Sequence, residues 1–149
     1  MWSFKVTDQP LDPRALEAEL ADPHNGGVVT FLGVVRNHSL GKQVSYLEYE
    51  AYEPMCAKIM TQIAQEIADR WDIHHVGVWH RTGRVEIGEA SLLVVTAYPH
   101  RREAFEAAMY CVDRIKEILP VWKKEVWTDG ESWVEGSTHV PAASPNSSP

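Results

Sequence analysis

Four places in the sequence set cations beside apolar residues, and these are its best candidates for chemistry. "KEILPVWKKEVW", residues 116–127, holds Lys116, Lys123 and Lys124 among Ile, Leu, Val and Trp. Removing an ammonium from water is costly unless an anion meets it. "YPHRREAF" puts His100 and Arg101 where a helix begins, with Pro99 expected at the first helical position. Helix N-termini favour acidic residues, so His and Arg there oppose the macrodipole unless an anion sits between them and the exposed N–H groups. That is the clearest hint of a phosphate site. The competing reading has Glu103 and Glu106 neutralising the arginines on an exposed turn. Arg36 stands where the run "VVTFLGVV" breaks into a loop, a place for ligand contacts or for plain solvation.

Lys116 and the lysine pair also have plain readings. A cation in the last turn of a helix is favoured by the dipole and, here, by Asp113 three residues earlier. Strand alternation sends Lys123 and Lys124 to opposite faces, with Lys123 on the side of Glu125 and Trp127, so only one of the two lysines can enter a pocket on that side.

Other chemistries find less support. His74, His75 and His80 do not make a metal site, because neighbouring strand residues face oppositely and His74 to His80 spans roughly 20 Å when extended. There is no CxxC pair and no HExxH, so no metal is expected. The nucleophile elbow and the phosphate loop are absent, "GRVEIGEA" lacks the dinucleotide-binding spacing, and no cofactor is expected. Glu48, Glu50 and Glu53 read as a solvated strand edge. Cys56 and Cys111 fall on apolar helix stripes, where a thiol packs as a small hydrophobe.

The elements that must position these cations fit one domain, which 149 residues at 44% hydrophobic content suffice to build. The domain is expected over residues 1–135. The net charge of -7 argues against nucleic acid or an anionic membrane as the main partner. No run approaches a membrane span and no leader with a long apolar core is visible, so the cytoplasm is the expected compartment. Strands are expected at "WSFKVT", "VVTFLGVV", "VSYLEYEAY", "IHHVGVWHR", "ASLLVVTAY", "VWKKEVW" and "SWVE", the last two joined by a turn at Asp129-Gly130. The eight-residue connection "RNHSLGKQ" predicts a hairpin between the second and third of them.

A first helix is expected after Asp12 as N-cap, with Pro13 at its first position. The second runs from Pro54 to Trp71 with Met55, Ile59, Ile63, Ile67 and Trp71 buried. The third runs from about Pro99 to Leu119 on a stripe of Ala104, Ala108, Cys111, Ile115 and Leu119, flanked by Phe105 and Val112. Residues 136–149, "STHVPAASPNSSP" among them, are poor in apolar surface and are expected to form a disordered tail. Strands joined by short turns and interspersed with helices predict an α+β fold with a largely antiparallel sheet and three main helices.

"VTFLGVVRNHSLGKQVSYLEYEAYEPM", "RTGRVEIGEASLLVV", "PHRREAFEA" and "DRIKEILPVWKKEVW", in this order and spacing, resemble the large, catalytic subunit of molybdopterin synthase over residues 26–135. The resemblance implies a hammerhead-type fold and a sulfurtransferase of molybdenum cofactor biosynthesis. It implies a homodimer of large subunits, carrying a small sulfur-carrier protein at each end to make a heterotetramer. Two sulfurs would be added to cyclic pyranopterin monophosphate, each delivered as a thiocarboxylate on the carrier's C-terminal Gly-Gly tail. This chain ends in "NSSP", so the carrier must be a separate partner.

Residue by residue, Lys116 matches the family's essential lysine and Lys123 a second catalytic lysine lining the same pocket. Arg36, His100 and Arg101 match groups holding pterin and phosphate. Val34 and Val35 lie beside Arg36, Lys124 and Glu125 continue the contact after Lys123, and Phe31 is carried over weakly. Lys116 would act as general acid or base, or through a transient covalent adduct. All these basic side chains are expected to converge in one cavity. A non-catalytic module that binds pterin phosphate, or one that only docks the carrier, would use the same cluster.

Overall fold

The computed structural model describes residues 1–128 and 130–134. Asp129 of the expected turn and the expected tail over 136–149 lie outside the described residues. In chain order the elements are β1 (Trp2–Thr7), α1 (Pro13–Glu19), β2 (Gly27–Val34), β3 (His38–Ser39), β4 (Lys42–Ala51), α2 (Glu53–Trp71), β5 (His75–Arg81), β6 (Gly83–Glu86), β7 (Ala90–Tyr98), α3 (Arg101–Ile118), β8 (Val121–Trp127) and β9 (Gly130–Val134). The architecture is α+β. One sheet has the order β1-β5-β7-β2 and the other the order β3-β4-β8-β9, with β6 on β4. β1 pairs β5 in parallel, and the other pairings are antiparallel.

β5 and β7 are the centre of the first sheet and are buried on both faces, which is why their sequences read as nearly unbroken apolar runs. Val76, Val78, Leu92 and Val94 pack on α2 and α3 together with Met60, Ile63, Cys111 and Ile115. The opposite face carries Trp79, Leu93 and Val95 against Leu16 and Leu20 at α1. There Gly77 is required, because a Cβ at this position would stand 2.5 Å from a Leu16 methyl. α1 begins as expected: the Asp12 carboxylate accepts from the Arg14 and Ala15 N–H groups, and Pro13 loses nothing at the first position.

Several expectations are corrected. The anticipated hairpin between β2 and β4 does not form, since β2 pairs β7 while β4 pairs β8 and β6 in the other sheet. Residues 36–43 instead carry the chain between sheets and fold into their own tight hairpin, with Leu40 and Gly41 both at positive φ (52° and 74°). β6 is an additional strand in what reads as a connection; only Val85 of its four residues is buried, too little to show as a pattern. α2 buries Cys56, Met60, Ile63, Ala64 and Ile67, while Met55 is exposed. A strict step of four overshoots a helical turn by about 40°, so the expected stripe drifts off the buried face. In α3 the expected stripe is buried throughout, with Ala107 beside it, and only the flanking Phe105 is exposed. α3 also starts later than expected, with His100 as N-cap and Arg101 first.

Candidate active site

A cavity of about 270 Å3 opens where the two sheets meet the C-terminal end of α3. Three elements deliver cations to it. β2 ends in a register shift between Gly33 and Val34, and Val35 is then clamped by backbone bonds to Glu89 (3.0 Å) and Gly88 (2.9 Å), which aims the following Arg36 into the opening. Lys116 comes from the last turn of α3, where the helix dipole favours a cation. That turn is fixed by buried Leu119 and by Pro120, whose carbonyl accepts from the Tyr52 N–H at 3.1 Å. β8 supplies Lys123, paired across strands with Tyr49, and Glu125, paired with Leu47, so these four side chains share one face.

Arg36 and Lys116 are exposed at the mouth, Lys123 is half-buried, and Glu125 is 5% exposed. Among the described residues, Arg36, Lys116 and Lys123 make no hydrogen bond or direct ion pair. Glu125 is the nearest countercharge, and its Oε1 already accepts from the Trp127 indole N–H at 2.9 Å. Burial pulls the Lys123 ammonium below the ordinary lysine value; Glu125 opposes this, and the charges of Lys116 and Arg36 add to it. Such a set is poised for an anionic ligand, which would relieve the repulsion and restore the lost solvation.

Val34, Val35 and Phe31 also line the cavity. Lys124 does not: it faces away, bound to Glu48 at 3.1 Å and Glu131 at 3.6 Å, as strand alternation requires once Lys123 points inward. His100 and Arg101 do not line it either. They sit at the start of α3, fifteen residues or about 22 Å of helix before Lys116. There the Arg101 backbone packs on Gly27, at the far end of β2 from Arg36. The expectation that every basic side chain converges in one cavity thus fails within a single chain.

Other polar lining residues, among them His38, Ser39, Tyr49, His80 and Ser91, are not assigned to the site by a reading of sequence. His80 is visible there only as a polar interruption of an apolar strand. Cys56 and Cys111 are buried, and burial pushes their thiols up to about 11 and about 12, which suits packing rather than nucleophilic chemistry. Among the described residues no three His, Cys, Asp or Glu side chains are placed to hold a metal, and no helix is long and apolar enough to cross a membrane.

Residues 6–118 match the model of the MoaE protein family. The molybdopterin synthase catalytic subunit of Halalkalibacterium halodurans is 44% identical over 131 residues, covering 88% of this chain and 84% of that protein. Its counterpart from Pyrococcus abyssi is 48% identical over 124 residues, covering 83% and 84%. The crystal structure of molybdopterin synthase from Staphylococcus aureus superposes with a TM-score of 0.84 at 38% identity, covering 87% of this chain and 95% of that one. The chain therefore belongs to the MoaE family, the catalytic subunits of molybdopterin synthase, which act in molybdenum cofactor biosynthesis.

Proposed function

We propose that this chain adds two sulfurs to cyclic pyranopterin monophosphate, receiving each as a thiocarboxylate from the C-terminal tail of a separate small carrier protein. The observation that carries the reading is the meeting of Arg36, Lys116 and Lys123 at one cavity without direct ion pairs among the described residues. Both reactants are anions, and bringing them together costs Coulomb repulsion that these cations offset. Lys116, at the mouth, is the group that acts on the reacting centre. Lys123, whose ammonium is weakened by burial, supports proton transfer beside it. Arg36 takes the phosphate, and Val34 and Val35 wall the ring. Glu125 favours the charged form of Lys123 through space, whereas Lys124 braces the outer face of the sheet.

His100 and Arg101 join this site from a second copy. β2 is an outer strand of its sheet and exposes Val28 (54%), Leu32 (40%) and Val34 (53%), while the adjoining part of α3 exposes Phe105 (61%) and Met109 (65%). An uncovered edge with apolar flanks calls for a partner. A two-fold axis beside two such edges runs them antiparallel, so the Gly27 end of one lies by the Val34 end of the other. Arg101, packed on Gly27, is then carried toward Arg36 of the facing copy. A helix N-terminus without a side-chain cap, as at His100, adds N–H groups suited to the same phosphate.

The test is to mix the purified chain with thiocarboxylated carrier and pyranopterin substrate and follow the pterin by mass spectrometry. A product heavier by two sulfurs is expected. Binding of both reactants without any sulfur-containing product would leave a binding module in place of the enzyme.

A further inference from the structure

His80 lies on β5 among apolar neighbours and is 6% exposed, yet its ring lines the cavity. Its Nδ1 stands 2.8 Å from the Arg81 carbonyl oxygen. A carbonyl can only accept, so Nδ1 carries the proton and Nε2 keeps a free lone pair. Among the described residues nothing donates to Nε2. Nor is it sealed in the protein: the described buried side-chain atom with neither partner nor exposure is Arg81 Nε. The space beside the ring is the cavity.

The neighbours say what this lone pair is for. Lys116, Lys123 and Arg36 offer donors and no acceptor, and Glu125 Oε1 is engaged by Trp127. The Ser39, Tyr49 and Ser91 hydroxyls that also line the cavity can donate as well as accept, whereas His80 Nε2 supplies a neutral atom that only accepts, on a wall otherwise rich in positive charge. Burial pulls its imidazole down to about 4, against the bond to Arg81, so the ring is uncharged near neutrality. Tyr49 holds the ring edge-on at 5.2 Å between centroids, and the same Tyr49 pairs across strands with Lys123. Tyr49 thus touches the acceptor's ring and is the cross-strand partner of Lys123.

Granted the pyranopterin reading of this cavity, we propose that His80 Nε2 accepts a hydrogen bond from a ring N–H or hydroxyl of the substrate, reading the heterocycle while the cations hold its phosphate. The substrate's cyclic phosphate is an ionised diester with no hydrogen to offer this atom, and a pterin edge has such hydrogens.

Two experiments on the full-length chain test the assignment. In His80→Asn the shorter amide can still donate to the Arg81 carbonyl but no longer reaches the cavity; His80→Gln can present an oxygen near the Nε2 position. Pyranopterin phosphate should bind His80→Asn about tenfold more weakly, the worth of one net hydrogen bond, and His80→Gln should recover part of the loss. Competition by inorganic phosphate should be the same in all three proteins. Equal substrate affinity in wild type and His80→Asn would overturn the role of His80 and leave the pocket reading standing. A wild-type chain that binds no pyranopterin phosphate would overturn both. If the variants do not fold, 15N NMR of histidine-labelled wild type decides: the unprotonated Nε2 resonance of His80 should move on adding pyranopterin phosphate and stay put with inorganic phosphate. A protonated Nε2, or no movement with substrate, contradicts the proposal.

Discussion

Two charged regions of this protein are built on opposite rules. Along the seam between α2 and α3, Arg114 and Arg70 are both matched. Arg114 donates to Glu66 through Nε (2.9 Å) and Nη2 (3.0 Å), Tyr110 adds a hydroxyl at 2.7 Å, and Gln62 an amide at 3.0 Å. Arg70 lies over the rings of Trp71 and Tyr110. The cavity, reached by Lys116 only two residues after Arg114 on α3, gathers Arg36, Lys116 and Lys123 and gives them no direct ion pair among the described residues. The first arrangement is complete in the folded chain, so it serves stability. The second is complete only when something anionic arrives, so the folded chain carries its repulsion as readiness for a ligand.

If that contrast is right, truncation should act on different properties in the two regions. The largest effect is expected at Lys116. Lys116→Ala should cost at least about a hundredfold in dithiolene formation while the midpoint of thermal unfolding stays within error, as removing a transition-state group at an exposed position implies. A variant that unfolds early, or that turns over normally, would erase the distinction from the cavity side.

A smaller effect, on stability alone, is expected across the seam. Arg114 beside it, helped by Gln62 and Tyr110, holds the Glu66 carboxyl down at about 2. The folded state thus binds fewer protons than the unfolded one between about 2 and the ordinary 4.5. The stabilisation is fully present above pH 4.5 and is lost as pH falls toward 2. Glu66→Gln should lower unfolding stability by about 1–2 kcal/mol at pH 7, a figure reduced for the partial exposure of both partners, and should flatten the acid limb of the stability profile without changing turnover. Loss of turnover in that variant would mean the seam reaches the site.

Much of this plan is visible in the sequence, and its gaps have physical causes. Pattern and punctuation reveal α1 through Asp12 and Pro13, and β4 and β8 as strands. Strand alternation alone separates Lys123 from Lys124. What no local pattern carries is partnership: the run "RNHSLGKQ" looks like a hairpin loop because nothing in it says that its two flanking strands belong to different sheets. Val85 is a single buried residue, so β6 leaves no period to detect. His100 and Arg101 are legible as cations at a helix start, but their distance from the cavity is set by the length of α3, which no local pattern ties to Arg36. His80 is hidden for the opposite reason, being one polar residue on a strand whose pattern is dominated by the core.

The central claim is that the set of cations is completed across a two-fold axis, and mixing inactive variants tests it directly. Lys116→Ala and Arg101→Ala should each be inactive alone. Re-formed together, the mixed dimers should contain one intact composite site in each pair, restoring about a quarter of wild-type turnover under random association. No recovery, with mixed dimers demonstrated, would place Arg101 and Lys116 in service of the same chain or of different tasks, and would contradict the account.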